Sequence, residues 1–158
     1  MSALPVETAM GRTRFLQPGQ LVISTEPMQV TTILGSCIAV CLWDVRLRAG
    51  GVNHFMLPFH TGSATSSARF GNVAMEQLLG GLRTLGARLP FLQARVFGGA
   101  CMFEQMKTTS HLGQKNAELA LDFLARNGIE IVQVETGGNR GRKLIYRTDE
   151  GNACLISI

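Results

Sequence analysis

The sequence predicts an α/β (α+β) domain: a mixed, largely antiparallel β-sheet with helices packed against it. Strand-like runs outnumber helical ones, and several are joined by connections short enough for hairpins. Only two segments carry apolar residues at helical spacing, and a strand pattern separates them.

Taken in order, residues 1–18 read as a flexible N-terminal arm ending at Pro18-Gly19, and residues 19–158 as one domain. Residues 21–24 and 29–33 read as short strands divided at Glu26-Pro27. Residues 36–43 form the next strand-rich run, and residues 52–57 another, closed by Pro58. Residues 59–68 are small and polar, a loop. From Arg69 to Leu85 apolar positions recur at helical spacing, with Gly86 as a stop, although Gly80-Gly81 weakens the pattern at about 1 kcal/mol per glycine. A strand at residues 94–97 runs into Gly98-Gly99, and a second amphipathic helix spans residues 113–126. Strands at 129–134, 143–147 and 153–158 complete the chain, with turns at 137–139 and 149–152.

The chain of 158 residues suits one domain, and its 16% charged content is that of an ordinary globular mixture, not a disordered one. No stretch approaches the roughly 20 apolar residues of a membrane span. The first residues lack a signal-peptide apolar block, so a cytoplasmic chain with reduced thiols is expected. The formal charge of +4 is mild, and its one concentration is Arg140, Arg142, Lys143 and Arg147. That is thin support for a nucleic-acid surface.

Chemistry concentrates at Cys37. A thiol nucleophile needs a base beside it, because a free cysteine is mostly protonated at neutral pH. Of the three histidines, His54 is favoured by register. A four-residue loop at 44–47 makes Trp43 face Arg48, and the same register extended places Cys37 opposite His54. A bulge near Gly50-Gly51 would break that pairing. Gly35 and Ser36 ahead of the thiol suit a turn that leaves backbone N–H groups free to hold an oxyanion. The bland alternative is a buried Cys37 beside a turn glycine. Cys41 and Cys154, inside apolar runs, read as small core residues. Zinc at Cys37, Cys41, His54 and His60 is disfavoured because close cysteine pairs are missing, so no metal or cofactor is expected. His60 and His111 read as loop and helix-entry residues.

Residues 31–44, TTILGSCIAVCLWD, followed by GGVNHFMLP at 50–58, resemble the signature of the chemoreceptor glutamine deamidases, CheD. Similar blocks recur at 69–75, 96–100, 112–116 and 137–142, so the resemblance covers nearly all the chain after residue 18. It implies an α/β domain related to bacterial deamidating toxins, with a Cys–His–Thr catalytic set. The cysteine falls on Cys37, the histidine on His54, and the threonine most naturally on Thr31, with Thr32 adjacent. The implied reaction converts selected glutamines to glutamates on the cytoplasmic helices of methyl-accepting chemoreceptors. Receptor methylesterase activity and binding of a CheC-type phosphatase are further implications. Two departures stand out: Glu135-Thr136 ahead of Gly137 where an aspartate is common, and Cys101 beside the VFGGA block. The alternative reading is a docking module that binds receptors or phosphatase without turnover.

Overall fold

A computed structural model describes residues 12–60, 67–102 and 111–158. The elements run β1 (Arg12–Phe15), β2 (Leu21–Ser24), β3 (Met28–Leu34), β4 (Ile38–Asp44) and β5 (Ala49–Asn53), then α1 (Gly71–Thr84). A short 3-10 turn (Leu89–Phe91) leads into β6 (Leu92–Gly98), followed by α2 (Leu112–Arg126), β7 (Glu130–Thr136), β8 (Arg142–Arg147) and β9 (Ala153–Ser157).

The strands form two sheets rather than the single sheet expected. One has the order β1-β3-β8-β9 and the other β2-β5-β4-β6-β7. In both, pairing is antiparallel except for one parallel pair, β1–β3 in the first and β6–β7 in the second. The second sheet is the middle layer of three. Ile38, Val40, Leu42, Ala94 and Val96 turn one face of it toward α1 and α2, forming a core with Leu78, Leu82, Ala120 and Leu124. Ala39, Cys41, Val52 and Phe97 turn the other face toward Val30, Leu34, Leu144 and Tyr146 of the first sheet. This explains why β4 is buried along nearly its whole length without polar alternation. β3, with one face outward, alternates as a half-buried strand should.

Gly80-Gly81 does not break α1. A Cβ at Gly81 would lie 2.2 Å from Cδ1 of Ile23, so the missing side chain lets the helix sit close on β2. The charged run at 140–147 is partly internal. The Arg142 guanidinium donates to the carbonyls of Gly98 and Gly137, and Arg147 pairs with Asp149. No helix among the described residues is long and apolar enough to cross a membrane.

Two further sequence expectations change. Residues 12–16, assigned to a loose arm, instead hold β1 (Arg12–Phe15) followed by Leu16, which is wholly buried between the sheets. The β4–β5 hairpin turns at residues 45–48, one residue later than expected, so Trp43 faces Gly50 and not Arg48. Most of the 59–68 loop lies outside the described residues.

Candidate active site

Cys37 lies in the link where the chain leaves β3 in one sheet and enters β4 in the other. Two hydrogen bonds brace that link from the end of β6: Gly99 N–H donates to the Cys37 carbonyl and Ala100 N–H to the Gly35 carbonyl, each at 2.9 Å. Met102 lies over the same turn, its Sδ 2.9 Å from where a Cβ on Gly35 would be. Among the described residues, neither the Ser36 nor the Cys37 amide N–H donates to a main-chain carbonyl. Cys37 is partly buried. Burial raises its thiol above the ordinary value, and its own backbone N–H partly offsets that.

His54 follows β5 directly. Its backbone is held on both sides, donating to the Gln20 carbonyl at 3.2 Å and accepting from Gly19 N–H at 2.8 Å. The β4–β5 ladder then resumes as an isolated bridge between Ile38 and Phe55. In this register Cys37 is not directly opposite His54; the ladder is shifted by two residues from the expected one. Because side chains alternate with a period of two, an even shift leaves both residues facing the first sheet. Cys37 thus has a different cross-strand partner from the one expected but lies on the expected face.

The imidazole is 1% exposed, and its Nδ1 lies 2.7 Å from the Thr32 hydroxyl oxygen. That hydroxyl also lies 2.7 Å from the Leu16 carbonyl oxygen. A carbonyl only accepts, so the single hydroxyl proton goes to Leu16, and Thr32 must accept from His54. The proton of the neutral ring is thereby fixed on Nδ1, leaving Nε2 with its lone pair. Nε2 is buried and has no hydrogen-bond partner among the described residues, so His54 is not bonded to Cys37. Burial lowers the His54 pKa from 6.5 to about 4. The thiol and the imidazole are thus both neutral near pH 7.

Thr31, the residue favoured from the motif, points to the opposite side. β3 alternates so that Val30, Thr32 and Leu34 are buried between the sheets while Thr31 and Ile33 face outward. The hydroxyl that meets His54 is that of Thr32. Cys41 is buried, and among the described residues no three metal-ligating side chains come together. His60 stacks edge-on against Phe70 and takes no part. Leu16, the Gly98-Gly99 buttress and Asn116 all support the site, and none was assigned a role from sequence. Two of them fall in the 96–100 and 112–116 blocks, which was the available signal.

With this geometry in place, comparison with other proteins is informative. The model of a family described as "CheD chemotactic sensory transduction" matches residues 56–156, a span that begins two residues beyond His54. The "Probable chemoreceptor glutamine deamidase CheD 1" of Anaeromyxobacter dehalogenans is 45% identical over 139 residues, 88% of this chain and 81% of its own. The "Probable chemoreceptor glutamine deamidase CheD" of Trichlorobacter lovleyi is 43% identical over 144 residues, 91% and 89% of the two chains. A crystal structure of Neisseria meningitidis protein NMB0706 aligns over 86% of this chain and 68% of its own, with a TM-score of 0.46 and 11% identity.

Proposed function

The chain belongs to the CheD family, and on that premise we propose that it is a protein-glutamine glutaminase that deamidates chemoreceptor glutamines with Cys37 as nucleophile and His54 as base. The observation that carries the catalytic assignment is the chain of hydrogen bonds from the Leu16 carbonyl through Thr32 to His54. It leaves the basic nitrogen, Nε2, unprotonated and free to accept the thiol proton.

In the proposed reaction, Nε2 takes the proton from Sγ as sulfur bonds to the side-chain carbonyl carbon of glutamine. The carbonyl oxygen becomes an oxyanion facing the Ser36 and Cys37 amides. His54 then gives its proton to the amine nitrogen, the C–N bond breaks, and ammonia leaves a thioester on Cys37. Water, losing a proton to Nε2, attacks the thioester carbon. The C–S bond breaks, the thiolate recovers that proton, and glutamate departs. The sum is water consumed and ammonia released. A hydrogen bond between thiol and imidazole of this kind often tightens only when substrate is bound.

The same steps with methanol as leaving group would hydrolyse a receptor methyl ester. On this reading the substrate is a cytoplasmic receptor helix. A receptor-like helix on a CheC-type phosphatase would compete for the same thiol.

Incubation with a glutamine-bearing receptor cytoplasmic fragment tests the proposal, following ammonia and fragment mass for wild type and Cys37→Ala. Conversion by wild type alone, about 1 Da per glutamine, supports it. Equal conversion by both removes Cys37 from the mechanism. Binding without conversion by either makes the chain a docking module.

A further inference from the structure

The geometry points to Asn116 as the positioning residue that sets the spacing of nucleophile and base, an inference that rests on the assignment of Cys37 and His54 above. Asn116 stands in the first turns of α2 and is wholly buried. Its Nδ2 donates to two carbonyls at once, that of Ser36 at 3.1 Å and that of Met56 at 2.9 Å. Ser36 immediately precedes the nucleophile, and Met56 follows His54 by two residues. Both protons of one amide thus tie the two catalytic segments to a common point.

The orientation of that amide is fixed, because rotating it would set Oδ1 against two carbonyl oxygens. Oδ1 is buried without a partner among the described residues. A side chain needed only to fill this volume would be apolar and would leave no unmet acceptor. What the asparagine supplies is its two donors.

The helix that carries Asn116 is located by other contacts. At Gly113 a Cβ would lie 2.3 Å from the Gly99 carbonyl oxygen, so α2 sits flush on the Gly99-Ala100 segment that braces the nucleophile turn. Loss of the amide would release Ser36 and Met56 while leaving the helix in place. Ground-state misplacement by about 1 Å can cost on the order of 100-fold in rate, so the effect should appear in kcat.

Asn116→Asp separates this role from simple packing, since the two side chains have the same shape. An aspartate here would face two carbonyl oxygens in a buried site, both of which favour its protonated form. As a carboxylate it offers no donor; once protonated it offers one. The experiment measures kcat and KM on a receptor fragment for wild type, Asn116→Asp and Asn116→Ala between pH 5.5 and 8, with melting curves at each pH.

The expected result for Asn116→Ala is a kcat lower by about 10- to 100-fold at unchanged KM, with a constant ratio to wild type across the pH range. Asn116→Asp should be equally impaired at pH 8 and should regain activity relative to wild type as the pH falls. A kcat within threefold of wild type for a folded Asn116→Ala, or an Asn116→Asp profile parallel to wild type, overturns the proposal. If Asn116→Asp is unfolded throughout, the Asn116→Ala kcat decides alone. Should wild type prove unable to deamidate, the rate of iodoacetamide labelling at Cys37, read by peptide mass spectrometry, still decides. A ratio of Asn116→Asp to wild type that shifts with pH supports positioning, and a constant ratio overturns it.

Discussion

A Cβ added to Gly98 would stand 2.2 Å from the carbonyl oxygen of Cys37, closer than any side chain tolerates. Gly98 also has φ +111°, a conformation reserved in practice for glycine. The end of β6 and the turn that carries Cys37 are therefore in backbone contact, with no side chain between them.

Gly98→Ala should destabilise the protein by about 2–5 kcal/mol, combining backbone strain and overpacking. For a chain of this size that corresponds to a melting temperature lower by roughly 5–15 °C. At a temperature where the variant remains folded, deamidation should still be impaired, because the displaced atom is the carbonyl of Cys37. Thermal melts and initial rates on one preparation check both parts.

The two adjacent threonines should behave differently. Thr32→Val keeps the shape of the side chain but leaves the Nδ1 proton of His54 buried without an acceptor. A fall in kcat of about 10- to 100-fold is expected, in line with loss of one orienting group in a general-base system. Thr31→Val, on the outward face of β3, should stay within about threefold of wild type. Reversal of that order would show that Thr31 orients the imidazole.

The pH dependence follows from the depressed His54 pKa. His54 remains a neutral base down to about pH 4, so its protonation should not limit kcat/KM between pH 8 and 5, where an ordinary histidine would lose half its base form at 6.5. Stability has the matching sign. The unfolded chain takes up the proton near 6.5 and the native state only near 4, so stabilisation present above 6.5 is lost as the pH falls toward 4. The loss from pH 7.5 to 4.5 is roughly 2–3 kcal/mol, measurable as a larger shift in urea midpoint for wild type than for His54→Gln.

Thiol reactivity should rank by exposure and not by catalytic role. Cys154 is exposed, Cys37 is half-buried with a raised pKa, and Cys41 is sealed in the core with its pKa pushed up further still. Iodoacetamide at pH 7, with site-resolved mass spectrometry, should label Cys154 before Cys37 and leave Cys41 untouched in the native protein. Preferential labelling of Cys37 would reveal a thiolate–imidazolium pair in the resting enzyme.

Local patterns made both helices and most strands legible in the sequence, since apolar periodicity reports which faces are buried, whereas β1, whose four residues are all exposed, carries no such pattern. The division into two sheets was not legible. β7 and β8 look like neighbours across the 137–141 turn but enter different layers, a choice made by contacts remote in sequence. The hairpin register failed because the turn could be placed at 44–47 or 45–48 with equal ease. It erred harmlessly, because the Cys37 partner moved by an even number of residues. Thr32 could not be separated from Thr31 until the direction of each side chain was known. Leu16 and Asn116 stayed silent for another reason. They act through main-chain carbonyls brought together by folding, and a carbonyl has no residue type to recognise.

The short first strand has a consequence for anyone trimming the chain. Cutting at residue 18, where composition invites a domain boundary, would remove the Leu16 carbonyl to which Thr32 donates. The hydroxyl could then turn its proton toward Nδ1, moving the ring proton to Nε2 and presenting Cys37 with a donor instead of a base. A shortened protein could keep Cys37 and His54 in place and yet hold its imidazole in the wrong tautomer.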